Sequence, residues 1–176
     1  MNSDTDVFIS KRLVCRRWQD SDFRDVLGLY SDPLAMKFVD DGTPLSEPDC
    51  HKWIEITSQN YSTRGYGMFK LSLRDSPGSF IGCIGLVHPN KQILPELKYA
   101  FIPEVWGRGY ATEAVSGLLD YASSVLFLGR MIATVHPENQ PSQRVLKKCG
   151  FLVGMPRVNA DGTETLVYEY PQEPAL

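Results

Sequence analysis

The stretch Pro103-Glu104-Val105-Trp106-Gly107-Arg108-Gly109-Tyr110-Ala111-Thr112-Glu113-Ala114 joins a predicted strand to a predicted helix through a glycine-rich turn. Gly107 and Gly109 allow positive φ angles and let the backbone approach a ligand closely. A helix that begins near Tyr110 has free N–H groups in its first turn and about half a unit of positive partial charge there, which attract anions. The stretch therefore predicts a phosphate-binding turn. A Gly-x-Gly pair alone is equally typical of an ordinary strand-to-helix connection, so the neighbouring residues must decide.

The residues on both sides of this turn show the periods of a strand and a helix. Residues 96–102 alternate, with Leu97, Tyr99 and Phe101 on one face of the predicted strand. After the turn, apolar residues recur at a spacing of about 3.6, at Ala111, Ala114, Val115, Leu118 and Ala122. The turn therefore lies between two elements that belong to a packed core.

The rest of the chain predicts a sheet flanked by helices. Alternation and turn signals place seven strands at residues 12–18, 68–73, 80–86, 96–102, 131–135, 151–153 and 165–170, with a turn at 75–78 between the second and third. Capping residues and helical spacing place four helices, which begin near residues 21, 46, 110 and 140, and a short helical piece after Pro33. This order predicts an α/β (α+β mixed) fold with a central, mixed, mostly antiparallel, twisted sheet of about seven strands and about four helices.

Composition limits the class of protein. The 176 residues suit a single domain over 1–176, with residues 171–176 as a loose tail. A net charge of −3 argues against a nucleic-acid binder, and no apolar run of about 18 residues predicts a membrane span. The four cysteines form no metal-binding or redox pattern, so we expect reduced thiols, no metal and a cytoplasmic protein.

At this point the motifs resemble those of a known superfamily, the GNAT acyltransferases, and within it the RimJ/RimL-like branch that acetylates protein N-termini and other amines. Residues 12–18 with Ser31-Asp32-Pro33 are similar to the opening of that branch, and Trp106 to Ala114 to its acetyl-CoA loop. Asn139 and Ser142, followed by Lys148-Cys149-Gly150-Phe151, are similar to its second motif. The resemblance implies the GNAT fold and acetyl-CoA as co-substrate.

The resemblance also implies which residues hold the cofactor. Backbone amides of Trp106, Gly107, Arg108, Gly109, Tyr110, Ala111 and Thr112 would bind the pyrophosphate, in agreement with the anion-binding turn. The preceding strand would splay from its neighbour, and Phe101 and Ile102 would bind the pantetheine arm through their backbone. Asn139 would contact the arm near the sulfur.

Two residues depart from the wider superfamily. Trp106 stands where Gln or Arg is usual, although Trp is normal in the branch resembled. Leu146 stands where many members have a tyrosine as general acid, and Leu cannot donate a proton. The resemblance makes Ser142 the replacement candidate, whereas its position three residues after Asn139 also fits a serine that serves only the helix end.

The acceptor amine must lose a proton before it attacks the thioester. Deprotonation at pH 7 costs about 1 kcal/mol for an α-amine and roughly 4.6 kcal/mol for a lysine. Glu96 is the candidate general base, acting directly or through water, while a solvated or salt-bridged strand glutamate is an equal alternative. The sequence contains no pattern for a covalent nucleophile, so direct transfer is predicted.

The identity of the acceptor does not follow from the sequence. A protein N-terminus or a small amine both fit, and the residues expected to line its pocket are 36–53 and 156–165. The absence of the usual tyrosine leaves a second function open, that of a non-catalytic acetyl-CoA-binding module that regulates a partner. The resemblance also allows a homodimer.

Overall fold

The computed structural model describes residues 6–171, and within that range nine strands form one sheet. The strands are β1 (Asp6–Ile9), β2 (Leu13–Arg16), β3 (Met68–Leu73), β4 (Ser76–Val87), β5 (Glu96–Phe101), β6 (Met131–Val135), β7 (Leu152–Val153), β8 (Arg157–Val158) and β9 (Glu164–Tyr170). Their order across the sheet is β1-β2-β3-β4-β5-β6-β9-β7, and β8 pairs with β9. Neighbours are antiparallel except β5 and β6, which run parallel. The predicted mixed, mostly antiparallel sheet is confirmed.

Five α-helices connect the strands of the described range. They are α1 (Phe23–Tyr30), α2 (Pro33–Met36), α3 (Glu47–Arg64), α4 (Tyr110–Ser124) and α5 (Gln140–Lys148). The single-turn α2 is the helical piece predicted after Pro33, and the other four begin within about two residues of the predicted starts. The predicted loose tail lies, from residue 172 onward, outside the described residues.

Two of the nine strands were not predicted. β1 has only four residues, of which the last three are all apolar, so its sequence shows no alternation. β8 has two exposed residues and exists because it pairs with β9 at Arg157–Thr165 and Val158–Glu164. In both strands the partner strand supplies the order that the local sequence does not.

The turn between β3 and β4 was also placed too late. It consists of residues 74 and 75, and β4 already begins at Ser76. The pairing there is irregular, because Leu73 pairs with Ser76 while Ser72 pairs with Phe80, so residues 77–79 bulge out of register. A bulge tolerates Pro77 and Gly78, which in the sequence indicated the turn itself.

The sheet buries a hydrophobic core on each face. Helices α4 and α5 cover one face, where Leu118 and Phe151 belong to the same buried cluster as residues of β2, β3 and β4. Helices α1, α2 and α3 cover the other, around Leu29 and Met36. Strand β5 contributes to both cores, because Leu97 and Phe101 pack toward α4 and α5 while Ala100 packs toward α1 to α3.

Candidate active site

The sheet is split between β5 and β6. These parallel strands share one residue pair, Glu96 with Ile132, where the Ile132 N–H donates to the Pro95 carbonyl at 3.0 Å. Past that pair β6 continues along β9, with five paired positions, and leaves β5 without a partner on that side. The split therefore opens toward the carboxyl ends of both strands, where ligands of open α/β sheets bind.

The backbone of β5 presents polar groups to this split. The Ile102 N–H donates to the Ile81 carbonyl of the preceding strand at 3.1 Å, and the Ile102 carbonyl accepts from Val105 at 3.2 Å. Because pairing groups alternate along an antiparallel strand, the backbone groups of Tyr99 and Phe101 point the other way, into the split. Of the two residues predicted to bind the pantetheine arm, Phe101 thus directs its backbone groups to the side of the split, where its carbonyl accepts from the Trp106 indole. Both backbone groups of Ile102 are engaged elsewhere in the protein.

The predicted phosphate-binding turn lies at the open end of the split. Gly107 and Gly109 have φ angles of +74° and +78°, which a residue with a Cβ rarely adopts. Gly109 is the N-cap of α4 and offers no side chain to its first turn. The N–H groups of Tyr110, Ala111 and Thr112 therefore begin a 15-residue helix without a cap side chain as acceptor, and a helix end of this kind attracts anions.

Trp106 fixes this turn to the strand that precedes it. Its indole Nε1–H donates to the carbonyl of Phe101 at 2.8 Å, and its side chain is about half exposed. The bond ties the first residue of the turn to the last residue of β5. The position that departs from the wider superfamily therefore has a structural use here.

Arg12 holds the other side of the turn, a contact that the sequence did not reveal. Its Nη1–H donates to the Arg108 carbonyl at 2.9 Å, its Nε–H donates to Glu113 Oε2 at 2.6 Å, and its guanidinium lies 4.4 Å from the ring centre of Tyr110. Glu113 Oε1 also accepts from Ser10 Oγ and from the Arg12 N–H, each at 2.7 Å. Partial burial raises the pKa of Glu113, but these hydrogen bonds outweigh it and lower the pKa overall, so the carboxylate stays charged.

The second motif begins helix α5 on the opposite wall of the split. Asn139 is the predicted N-cap, and its Oδ1 accepts from the Ser142 N–H at 3.2 Å. Ser142 Oγ lies 2.8 Å from the hydroxyl oxygen of Tyr99 on β5. The two hydroxyls thus join the two walls of the split, and the resemblance had pointed only to the serine.

The position of the usual tyrosine is closed to solvent. Leu146 is completely buried beneath α5, so a side chain there packs into the core. Tyr99 approaches Ser142 from the strand instead. Burial raises the pKa of Tyr99, so its hydroxyl remains protonated near neutral pH.

Glu96 lies at the closed end of the split and is only 2% exposed. One carboxylate oxygen accepts from Thr134 Oγ1 at 2.5 Å and the other from Gln92 Nε2 at 3.2 Å. Lys98 Nζ and Arg157 Nη1 lie 3.8 and 4.0 Å away. The sequence left open whether Glu96 is solvated, salt-bridged or a general base, and a solvated glutamate is wrong. A salt-bridged carboxylate and a general base at the closed end of the split both fit these contacts.

The two regions expected to line the acceptor pocket both reach this end of β5. In the loop after α2, Asp40 Oδ1 accepts from Lys98 Nζ at 2.7 Å and the Phe38 ring lies 5.2 Å from that of His136. From β8, Arg157 Nη2–H donates to Gln92 Oε1 at 3.2 Å. The pocket wall thus carries both signs of charge around Glu96.

Two further findings concern the described residues as a set. Among residues 6–171 no three His, Cys, Asp or Glu side chains are grouped as metal ligands would be. None of the helices in that range combines the length and the apolar character that crossing a membrane requires.

Comparison with known proteins gives consistent matches. The family model of the acetyltransferase (GNAT) domain matches residues 12–152. Over 141 residues the chain is 32% identical to the N-acetyltransferase YnaD of Bacillus subtilis (strain 168), itself uncharacterized, and the match covers 80% of this chain and 79% of that protein.

Solved structures share the whole architecture. An acetyltransferase from Agrobacterium tumefaciens str. C58 has 27% sequence identity and a TM-score of 0.82, and the match covers 98% of this chain and 97% of that one. RimL, the ribosomal L7/L12 alpha-N-protein acetyltransferase in complex with coenzyme A, shares the fold at 16% identity and a TM-score of 0.79, over 94% of this chain and 97% of its own.

The split sheet and the uncapped helix at its open end thus belong to a fold that this chain shares with solved acetyltransferases. The chain belongs to the GNAT acetyltransferase family. It is an acetyl-CoA-dependent enzyme that transfers an acetyl group to an amine.

Proposed function

We propose that residues Trp106 to Thr112 hold the pyrophosphate of acetyl-CoA and that the pantetheine arm lies along the inner edge of β5, past Phe101 and Asn139. The observation that carries this proposal is the N-terminus of α4, which has a glycine cap and lies at the open end of the split. An arm in this position extends from the turn toward Ser142 and Glu96. The thioester would then lie between the two walls.

The reaction is a direct attack of a neutral primary amine on the acetyl carbonyl, without a covalent enzyme intermediate. Coenzyme A is a fair leaving group, since a thiol has a pKa of about 8.5. Ser142 would assist the sulfur as it leaves. Glu96 would accept the amine proton through water, because its two oxygens already accept from Thr134 and Gln92.

The preferred acceptor is an α-amine, either of a peptide or of a small molecule. At pH 7 an α-amine needs about 1 kcal/mol to lose its proton, against roughly 4.6 kcal/mol for a lysine side chain. The easier of these two deprotonations needs less help from Glu96, whose oxygens already accept from Thr134 and Gln92. The loop at 37–42 and strand β8 would select among such acceptors.

A homodimer and a cytoplasmic location are further parts of the proposal. Leu152, Val153, Met155 and Val158 expose apolar side chains at the β7–β8 end of the sheet, and Met155 is 85% exposed. An exposed apolar surface of this kind is typical of a protein–protein interface, and a symmetric dimer would bury it. All four cysteines are free, as in a reducing compartment. Light scattering at several concentrations measures the dimer, and an entirely monomeric protein would contradict it.

The function is tested by binding and turnover together. Calorimetry with acetyl-CoA should show binding, and thiol release should rise with at least one member of a panel of N-terminal peptides, polyamines, amino acids and aminoglycosides. Mass spectrometry of the product then places the acetyl group on the amine. Binding without turnover on any amine would favour the non-catalytic regulatory module, and no binding at all would exclude both.

A further inference from the structure

The contact between Tyr99 and Ser142 joins side chains from the two walls of the split through polar atoms, at the sulfur end proposed above. The oxygens lie 2.8 Å apart, and the Tyr99 hydroxyl is also 3.4 Å from the Ser142 carbonyl. The residues are 43 positions apart in sequence, so only the tertiary fold brings them together. Ser142 is further held by its N–H bond to Asn139.

We propose that Tyr99 is a positioning residue for acetyl transfer: its O–H donates to Ser142 Oγ and thereby directs the Ser142 O–H toward the sulfur of the departing coenzyme A. This inference rests on the proposed function, because it assigns a partner to the serine of the same site. Many superfamily members carry a tyrosine on the helix, at the position that the buried Leu146 occupies here. In this chain Tyr99 supplies the phenol from the facing strand instead.

The direction of the hydrogen bond follows from the chemistry of the two hydroxyls. A phenol is a stronger acid than an aliphatic alcohol, so it is the better donor, and the alcohol oxygen is the better acceptor. Burial raises the pKa of Tyr99, which keeps the donor proton in place at neutral pH. When Ser142 Oγ accepts this bond, its own single proton remains available for another acceptor.

The pair acts mainly in the transition state. A thioester sulfur is a weak hydrogen-bond acceptor, whereas a developing thiolate is a strong one. Linked hydroxyls polarise one another, so the bond from Tyr99 strengthens the bond from Ser142 as charge appears on sulfur. An interaction that is stronger in the transition state than in the ground state raises kcat and leaves KM nearly unchanged.

Protons and electrons balance without an additional reactant. The amine lone pair forms the C–N bond, the oxyanion collapses, and the C–S bond breaks with its electron pair on sulfur. The amine proton leaves through water to Glu96 or to solvent. Tyr99 and Ser142 keep their protons throughout, and the thiolate takes a proton from solvent according to its pKa of about 8.5.

The test compares Tyr99→Phe, Ser142→Ala and the double variant on the best amine of the panel. Tyr99→Phe should lower kcat roughly tenfold with little change in the KM or the calorimetric Kd for acetyl-CoA. The double variant should be no slower than Ser142→Ala alone, because Tyr99 acts through the serine. Ser142→Thr, which retains the hydroxyl, should recover most of the activity.

Tyr168→Phe is the matched control. Tyr168 on β9 is 1% exposed, and its hydroxyl donates at 3.4 Å to Oε1 of Gln143, the residue that follows Ser142 on α5. Equal effects of the two Tyr→Phe changes, additive effects in the double variant, or a rise in KM with kcat unchanged would each overturn the inference. A wild-type protein that binds acetyl-CoA without turnover would instead contradict the proposed function.

Discussion

Helices α3 and α4 begin in opposite ways. At α3, Ser46 Oγ accepts from the Asp49 N–H at 3.3 Å and Asp49 Oδ2 accepts from the Ser46 N–H at 3.3 Å, so the helix closes its own end with a capping box. At α4 the cap is Gly109, which has no side chain to offer. A helix end closed by its own residues contributes stability, whereas an end left open is available to a ligand.

The largest effect is expected from adding a side chain at the glycine cap of α4. Gly109→Asp places a carboxylate where the pyrophosphate would bind and forces a residue with a Cβ to a φ of +78°. Acetyl-CoA binding should weaken at least a hundredfold, as calorimetry measures. Gly65→Asp is the control, because Gly65 has a φ of +80° and free space around it at the far end of α3. Equal losses of binding in both variants would show that backbone strain alone is responsible.

A smaller effect is expected when the contacts of Arg12 with the first turn of α4 and the residues before it are removed. Arg12→Gln loses the contacts to the Arg108 carbonyl, to Glu113 and to the Tyr110 ring. The Kd for acetyl-CoA should rise about tenfold, while unfolding free energy falls by no more than about 1 kcal/mol, as for other partly exposed ion pairs. Arg74→Gln is the control. Arg74 donates to the carbonyl of Ser10, which like Arg12 lies between β1 and β2, and this contact does not involve the phosphate-binding turn. An unchanged Kd in Arg12→Gln would refute this supporting role.

Removing the cap side chain of α3 should change the free energy of unfolding without changing acetyl-CoA binding. Ser46→Ala removes the acceptor of the Asp49 N–H and should lower the free energy of unfolding by about 1 kcal/mol in urea titrations. Acetyl-CoA affinity should stay at the wild-type value. If affinity fell as well, the two helix ends would be coupled, and the distinction between a structural end and a binding end would fail.

The smallest effect concerns pH. Hydrogen bonds from the side chain and backbone of Ser46 lower the pKa of Asp49 below its ordinary value of about 3.9. A carboxyl with a lowered pKa in the folded state stabilises the fold above its unfolded pKa and loses that contribution as pH falls through the folded pKa. The stability difference between wild type and Asp49→Asn should therefore be present at pH 6 and shrink below pH 4. A difference that keeps its pH 6 size as the pH falls well below 4 would contradict the assignment.

Features with local causes were predictable from sequence. The glycines before α4 and the helix starts near residues 46 and 140 depend on residues close together in sequence, and each is present as predicted. The alternation of residues 96–102 correctly predicted strand β5. Short-range stereochemistry thus determined where the candidate site lies along the chain.

The partners within the site were not predictable, because they come from distant segments. Tyr99 looked like one apolar strand residue among three, and only the approach of α5 brings Ser142 to its hydroxyl. Arg12 meets Glu113 across 101 positions. The roles of Ser142 and Glu96 stay predictions, since contacts show what a side chain touches and kinetics show what it does.

The single residue pair between β5 and β6 has a mechanical consequence. The sheet consists of two panels, β1 to β5 and β6 to β9, that are joined edge to edge at Glu96 and Ile132 alone. Besides side-chain contacts such as that of Thr134 with Glu96, a further connection runs through the helices, because α4 packs on β1, β2 and β4 and against α5, which packs on β6. Helix α4 therefore connects the two panels. A ligand bound at its first turn, where the phosphates would lie, can restrict the motion of one panel relative to the other.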